Sequence, residues 1–373
     1  MRTLLLTPGP LTTSDRTRAA MARDWGSRDG EFLAMSERVR ARLLALSGAD
    51  AATHAAVPVQ GSGTFAVEAA VQTLVPREAG LLVLVNGAYG RRVAEIARRL
   101  GRAVMTLDAP EDAALEPAAV DRALAADRAI TDVAVVHLET TSGLLNPLTE
   151  VAGVVRARGR RLLVDAIGSL GAVPIPRGLP FAALVGSANK GLEGVPGLAV
   201  VVAERAHLAA SAGNAAGLSL DLHAQWRGFE RDGGQWRFTP PTHAVAALDA
   251  ALDQLDEEGG VPARRARYER NRAVLVAGMR ALGFETYLPD ALQGPVIATF
   301  RAPPGAWFDF ARLYEYLRDR GVVIYPGKLT AAPSFRIGCI GAVGEADMRR
   351  VLALVEAFVG LHRTPAQAAA AAG

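Results

Sequence analysis

The chain has one cysteine, Cys339, among 373 residues. An internal disulfide is therefore excluded, and such thiol usage fits a reducing cytoplasm. Aromatic residues are scarce at 6%. No apolar stretch approaches the ~18 residues that a bilayer span needs, and Leu4-Leu5-Leu6 is too short for a secretory signal. An excess of one charge is missing as well, since 41 basic residues stand against 38 acidic ones. The doublets Arg98-Arg99 and Arg264-Arg265 are isolated on polar, helix-patterned stretches without interleaved aromatics. They read as solvated faces, not as a nucleic-acid surface. His137 and His243 have no cysteine or second histidine at ligand spacing, so no metal site is expected. Membrane and nucleic-acid partners are excluded on the same grounds. No internal repeat is visible.

What is present is a globular pattern, 50% hydrophobic and 21% charged, long enough for two or three units of ~150 residues. Short apolar runs at 81–85, 133–138, 162–164, 182–185 and 198–203 read as buried strands. Segments 93–100, 118–125 and 151–157 between them have helical spacing. Strands alternating with helices predict an α/β fold with a mostly parallel sheet. Beyond Val261 the texture changes to helix 263–282, strand 296–300, helix 308–320, strands 322–325 and 334–340, and helix 345–360. That mixture predicts a smaller α+β domain. The pair Gly259-Gly260 marks the boundary: a large domain over 1–259, a small one over 260–361, and an alanine-rich tail over 362–373 with little to bury.

Polar loops follow the predicted strands. Asp165 ends Leu162-Leu163-Val164-Asp165, and Lys190 follows the next run in Ser187-Ala188-Asn189-Lys190. Residues just past the carboxyl ends of parallel strands face the ligand crevice. An amine and a carboxylate delivered there suit pyridoxal phosphate, whose aldehyde is held by an amine and whose ring nitrogen is kept protonated by a carboxylate. Taken singly, Asp165 reads as a helix cap and Lys190 as a surface lysine. Gln60-Gly61-Ser62-Gly63-Thr64 opens a helix and is either a phosphate cradle or an ordinary helix start. It is neither a Walker loop nor a dinucleotide fingerprint. Tyr89, in Asn86-Gly87-Ala88-Tyr89-Gly90, could lie on a cofactor ring or pack at a sheet edge. The hydroxyls of Glu139-Thr140-Thr141-Ser142 could bond a cofactor or cap the next segment. Four such loops after successive strands favour the joint reading. Arg336, inside the apolar strand Phe335-Arg336-Ile337, needs either a structural carboxylate or an anionic substrate. Cys339 on that strand reads as a small core residue.

With these stretches the chain resembles the class V family of pyridoxal-phosphate-dependent aminotransferases, of the aspartate aminotransferase fold (fold type I). The likeness runs from Leu4 to Leu361. It includes Thr7-Pro8-Gly9-Pro10, Gln60-Gly61-Ser62-Gly63, Asn86-Gly87-Ala88-Tyr89-Gly90, Glu139-Thr140-Thr141, Ala188-Asn189-Lys190 and Arg336-Ile337-Gly338. Leu218-Ser219-Leu220-Asp221-Leu222 and Tyr325-Pro326-Gly327-Lys328 are similar to the branch acting on aminoethylphosphonate. Two stretches depart from the family: Cys339, where asparagine is frequent, and 23–29.

The resemblance implies Lys190 as the Schiff-base lysine and Asp165 as the ring-nitrogen partner, with Tyr89 stacked on the ring. It implies phosphate contacts from Ser62, Gly63, Thr64 and Asn189, with Thr140 and Ile167 beside the ring. Trp236 and Thr239 would complete the phosphate site of a second subunit in a homodimer, and Arg336 would hold the substrate's acidic group. The implied activity moves the amino group of 2-aminoethylphosphonate to pyruvate, so the partners are a small amine and a 2-oxo acid. The implied alternatives are alanine– or serine–glyoxylate transamination and a non-catalytic cofactor-binding role.

Overall fold

The apolar runs of the first half become the interior of one sheet. The computed structural model describes residues 3–329 and 332–363; the predicted tail beyond Arg363 lies outside the described residues. Seven strands form the sheet: β1 (His54–Gln60), β2 (Gly80–Val85), β3 (Ala103–Asp108), β4 (Ile130–Val136), β5 (Arg161–Asp165), β6 (Ala183–Ser187) and β7 (Leu198–Glu204). Their order is β1-β7-β6-β5-β4-β2-β3. All the pairings among β2 to β6 are parallel, and β7 alone runs against its neighbours. The carboxyl ends of β1, β2, β4, β5 and β6 therefore share one edge. β2 is buried at every position, as expected for a strand covered on both faces.

Two strands fall outside the apolar runs. β1 contains Pro58, which lacks an amide donor and is tolerated because β1 is an edge strand. β3, at the opposite edge, has half-exposed and exposed positions throughout and so lacks a continuous apolar run.

The predicted helices are found with longer bounds: Ala88–Arg99, Pro117–Ala126 and Leu148–Ala157. Gly259 (φ 102°) and Gly260 (φ 77°) lie in the left-handed region, where a side chain would be strained. They break helix Thr242–Glu257 from helix Gly260–Ala281. A second sheet, β8 (Ile297–Arg301), β9 (Tyr325–Pro326) and β10 (Ser334–Gly338), is antiparallel in the order β8-β10-β9. It has its own core, in which Phe284, Phe300, Phe335 and Phe358 are buried. Leu4–Leu5 crosses over to pair with Val322–Val323, and Leu4 and Leu6 pack in this second core.

One expectation is corrected. Arg264 is not solvated but 1% exposed. Its Nε donates to Glu258 at 2.8 Å and its Nη1 to the Gly191 carbonyl at 3.2 Å. The doublet sits where helix Gly260–Ala281 meets the loop after Lys190, so one arginine turns inward while Arg265 pairs with Glu269 outside.

Candidate active site

Ser62, Gly63, Thr64, Tyr89, Asp165, Ile167, Asn189 and Lys190 line one cavity of about 190 Å³. It opens at the shared carboxyl edge of the sheet. They arrive on four loops, each after a different strand, so their meeting is a product of strand order.

Lys190 is buried. Its Nζ donates to the carbonyls of Pro8 (2.6 Å) and Gly9 (3.3 Å). Gly9 has φ 114°, and a Cβ there would lie 2.5 Å from Lys190 Cδ and from the Asn189 carbonyl oxygen. Only glycine lets the N-terminal loop come this close. Burial lowers the Lys190 pKa, and the positive charges of Arg336 and Lys328 push the same way. The amine is thereby made easier to deprotonate.

Asp165 is also buried, and it does act as a local cap: Oδ1 accepts from the Ile167 amide at 2.9 Å. Burial pushes its pKa up to about 7, against the lowering effect of that hydrogen bond. A carboxylate so placed is relieved by a cationic neighbour, as the protonated ring nitrogen of pyridoxal phosphate provides.

Helix Gly63–Leu74 starts at Ser62, whose hydroxyl makes no cap bond. The hydroxyl and the helix N-terminus both face the cavity, the arrangement an anion needs. A Cβ on Gly63 would lie 2.5 Å from Ile167 Cδ1, so a side chain there would crowd the cavity wall. The residues present fit the cofactor: an amine, a buried carboxylate and an anion cradle around one cavity.

Tyr89 is half-buried on the first turn of helix Ala88–Arg99. Burial alone would raise its hydroxyl, but Lys190, Lys328 and Arg336 and a hydrogen bond to Thr140 hold it below the usual range. Arg336 is 6% exposed. Its Nε donates to the Pro326 carbonyl (3.0 Å) and its Nη1 to the Thr140 carbonyl (2.8 Å). It also hydrogen-bonds Tyr89. Among the described residues no carboxylate lies in ion-pair contact with it. Thr140 thus stands behind Tyr89 and Arg336.

Thr140 and Arg336 are not among the residues that line this cavity, and neither are Trp236 and Thr239, which were expected at the phosphate of a second subunit. Trp236 is turned into the core of its own chain, with Nε1 donating to Ser36 Oγ at 2.9 Å and its ring edge-on to Phe229. Thr239 is exposed and lines a separate groove with Phe65 and Phe238. Cys339 is fully buried in the second core with its thiol pushed up to about 12 by burial, so it is no mobile nucleophile. His137, buried beside Ser169 Oγ at 2.9 Å, has its pKa lowered to about 4 by burial and stays neutral.

Two residues were missed. Arg92 lines the cavity and donates to Thr64 Oγ1 at 3.2 Å. Its position three residues after Tyr89, on the same helix face, was the available signal. Glu139 is fully buried. It accepts from the amides of Tyr89 (3.1 Å) and Thr141 (3.0 Å), and burial raises its pKa. It ties the Tyr89 loop to the Thr140 loop. A carboxylate at the end of an apolar strand was its signal.

The chain is similar to known proteins along most of its length. The family described as aminotransferase class-V matches residues 13–346. A 2-aminoethylphosphonate–pyruvate transaminase of Burkholderia lata is 52% identical over 371 residues, covering 98% of each chain. One of Pseudomonas aeruginosa is 52% identical over 353 residues, covering 94% of this chain and 95% of its own. Among solved structures, an aspartate aminotransferase of Thermus thermophilus superposes with a TM-score of 0.86 at 25% identity, covering 96% of this chain and 99% of that one. A pyridoxamine–pyruvate aminotransferase of Mesorhizobium loti shares the fold, with a TM-score of 0.89 at 24% identity over 100% and 97% of the two chains. With the family match spanning both sheets, the chain belongs to the class-V aminotransferases, enzymes whose cofactor is pyridoxal phosphate.

Proposed function

We propose that the chain transfers the amino group of 2-aminoethylphosphonate to pyruvate, giving phosphonoacetaldehyde and alanine. The observation that carries this reading is a buried arginine without a carboxylate partner, Arg336, sharing Tyr89 with a buried amine, Lys190. Such a pair calls for a substrate with an anionic end and an amine-bearing end. The identity of the anion follows the relatives named above.

Pyridoxal phosphate, when bound, supplies an aldehyde that takes up the amino group and a ring that withdraws electrons from the substrate carbon. Lys190 would hold that aldehyde through its amine, and its free amine would be the base for the proton on the amino-bearing carbon. Asp165 keeps the ring nitrogen protonated. Ser62, Gly63, Thr64 and Asn189 hold the phosphate, with Arg92 as an added cation. Tyr89 and Ile167 would pack against the ring, while Arg336 would pair with the phosphonate in one half-reaction and the carboxylate in the other.

Purified protein loaded with pyridoxal phosphate should be yellow and form alanine from 2-aminoethylphosphonate and pyruvate. Lys190→Ala should lose both the colour and at least ~10³-fold in turnover. Faster use of alanine or serine with glyoxylate would overturn the substrate assignment.

We also propose a cytoplasmic homodimer with Thr239 delivered to the partner's phosphate site. Phe65, Phe238 and Leu218 are 51%, 49% and 70% exposed near that groove, an apolar face suited to a second subunit. A sedimenting monomer with full activity refutes the dimer. The division into 1–259 and 260–361 is supported by the two cores and the glycine pair, with Leu4–Leu5 crossing back to the second.

A further inference from the structure

The 41 basic residues include only two lysines, Lys190 and Lys328; the rest are arginines. Both lysines stand at the same tyrosine. Lys328 Nζ lies 4.6 Å from the centre of the Tyr89 ring, and its charge is felt by Lys190 and by the Tyr89 hydroxyl. The fold brings it there through β9. Tyr325 pairs with Arg336 across the strands, the Pro326 carbonyl accepts from Arg336 Nε, and Lys328 follows two residues later. Among the described residues no carboxylate is in ion-pair contact with Lys328. A second cation without an ion-pair partner among the described residues thus stands at Tyr89, which Arg336 also contacts.

We propose that Lys328 is a second substrate cation, which with Arg336 brackets the phosphonate end of the amino donor and favours a three-oxygen dianion over a carboxylate. This rests on the function proposed above. Of the five N–H donors of Arg336, two already go to the Pro326 and Thr140 carbonyls and a further hydrogen bond goes to Tyr89. What remains can serve the two oxygens of a carboxylate. A phosphonate presents a third oxygen and a second charge. A compact ammonium with three rotatable donors can meet that oxygen from a different direction than a planar guanidinium. The carboxylate of pyruvate or alanine has no third oxygen and gains less from Lys328.

The test uses loaded enzyme and two readouts. In Lys328→Met, the ratio of kcat/KM for 2-aminoethylphosphonate to that for alanine should fall about tenfold, or about 1.4 kcal/mol, chiefly through KM for the phosphonate. Lys328→Gln should act alike, and Lys328→Arg, which keeps the charge, should lose less. Binding of methylphosphonate, followed by the cofactor absorbance, should weaken about tenfold in Lys328→Met, and that of acetate less than twofold. A ratio within twofold of the parent together with unchanged methylphosphonate affinity overturns the proposal. Failure of the parent enzyme to use 2-aminoethylphosphonate would instead remove the proposed function, while the methylphosphonate comparison would still decide whether Lys328 reads the dianion.

Discussion

The two cores of this protein are built from different side chains and do different work. The large sheet buries mainly valine, alanine and leucine, and its strand ends carry the lysine, carboxylate and hydroxyls of the cofactor cavity. The second core gathers rings around Phe335, with Phe284, Phe300 and Phe308 at 5.7, 5.5 and 5.5 Å between ring centres. It carries Arg336 and Lys328, the cations assigned to the substrate. Short strands cannot bury much surface per residue, so aromatic rings supply the area that the long parallel strands obtain from aliphatic runs. The proposed cofactor side is thus set on an extended platform and the proposed substrate side on a small aromatic cluster.

That contrast can be broken from the aromatic side first. Phe335→Ala removes a fully buried ring next to Arg336 and should cost about 3–5 kcal/mol in denaturant unfolding. Val201→Ala in the large sheet should cost clearly less. Equal losses would erase the distinction between the cores. Arg336→Lys sharpens it chemically. Apparent transition-state binding of both the phosphonate and the carboxylate substrate should fall by about 2–5 kcal/mol, with cofactor loading unchanged. A drop in thermal stability with kcat/KM intact for both substrates would make Arg336 purely structural.

The smallest effect concerns pH. Asp165 has its folded pKa raised to about 7 from an ordinary 3.8. Between those values the folded apo-protein binds more protons than the unfolded chain, so stability falls as pH rises through that window and levels above it. Differential unfolding of apo-protein from pH 4 to 8 should show a decline on the order of 2–4 kcal/mol. Asp165→Asn should flatten it, and added pyridoxal phosphate should reduce it. A slope unaffected by Asp165→Asn assigns the titration to another group.

The cofactor side was the more legible of the two. Asp165 and Lys190 each follow an uninterrupted apolar run, and the rule that such residues face a crevice needs only the strand direction. Ser62, Gly63 and Thr64 announce themselves as a helix start with spare donors. Ile167 could be placed by resemblance alone. The direction of the Trp236 ring was hidden, because a tryptophan in a proline-rich stretch gives no sign of which way it turns; Ser36 and Phe229, 200 and seven residues earlier, decide that. The burial of Arg264 was equally hidden, since its acceptors Glu258 and Gly191 lie on separate loops.

The sequence by itself determined the alternation of strands and helices, the break at Gly259-Gly260 and the chemical identity of the cavity's groups. Those depend on local patterns: apolar runs, glycines with room for left-handed φ, polar residues at strand ends. Tertiary structure alone decided that Lys190 and Asp165 are buried enough for opposite pKa shifts, that Glu139 and Arg92 belong to the site, and that Lys328 joins Arg336 at Tyr89. Burial and charge proximity are sums over neighbours distant in the chain, and only the packed arrangement of strands β1 to β10 brings those neighbours together.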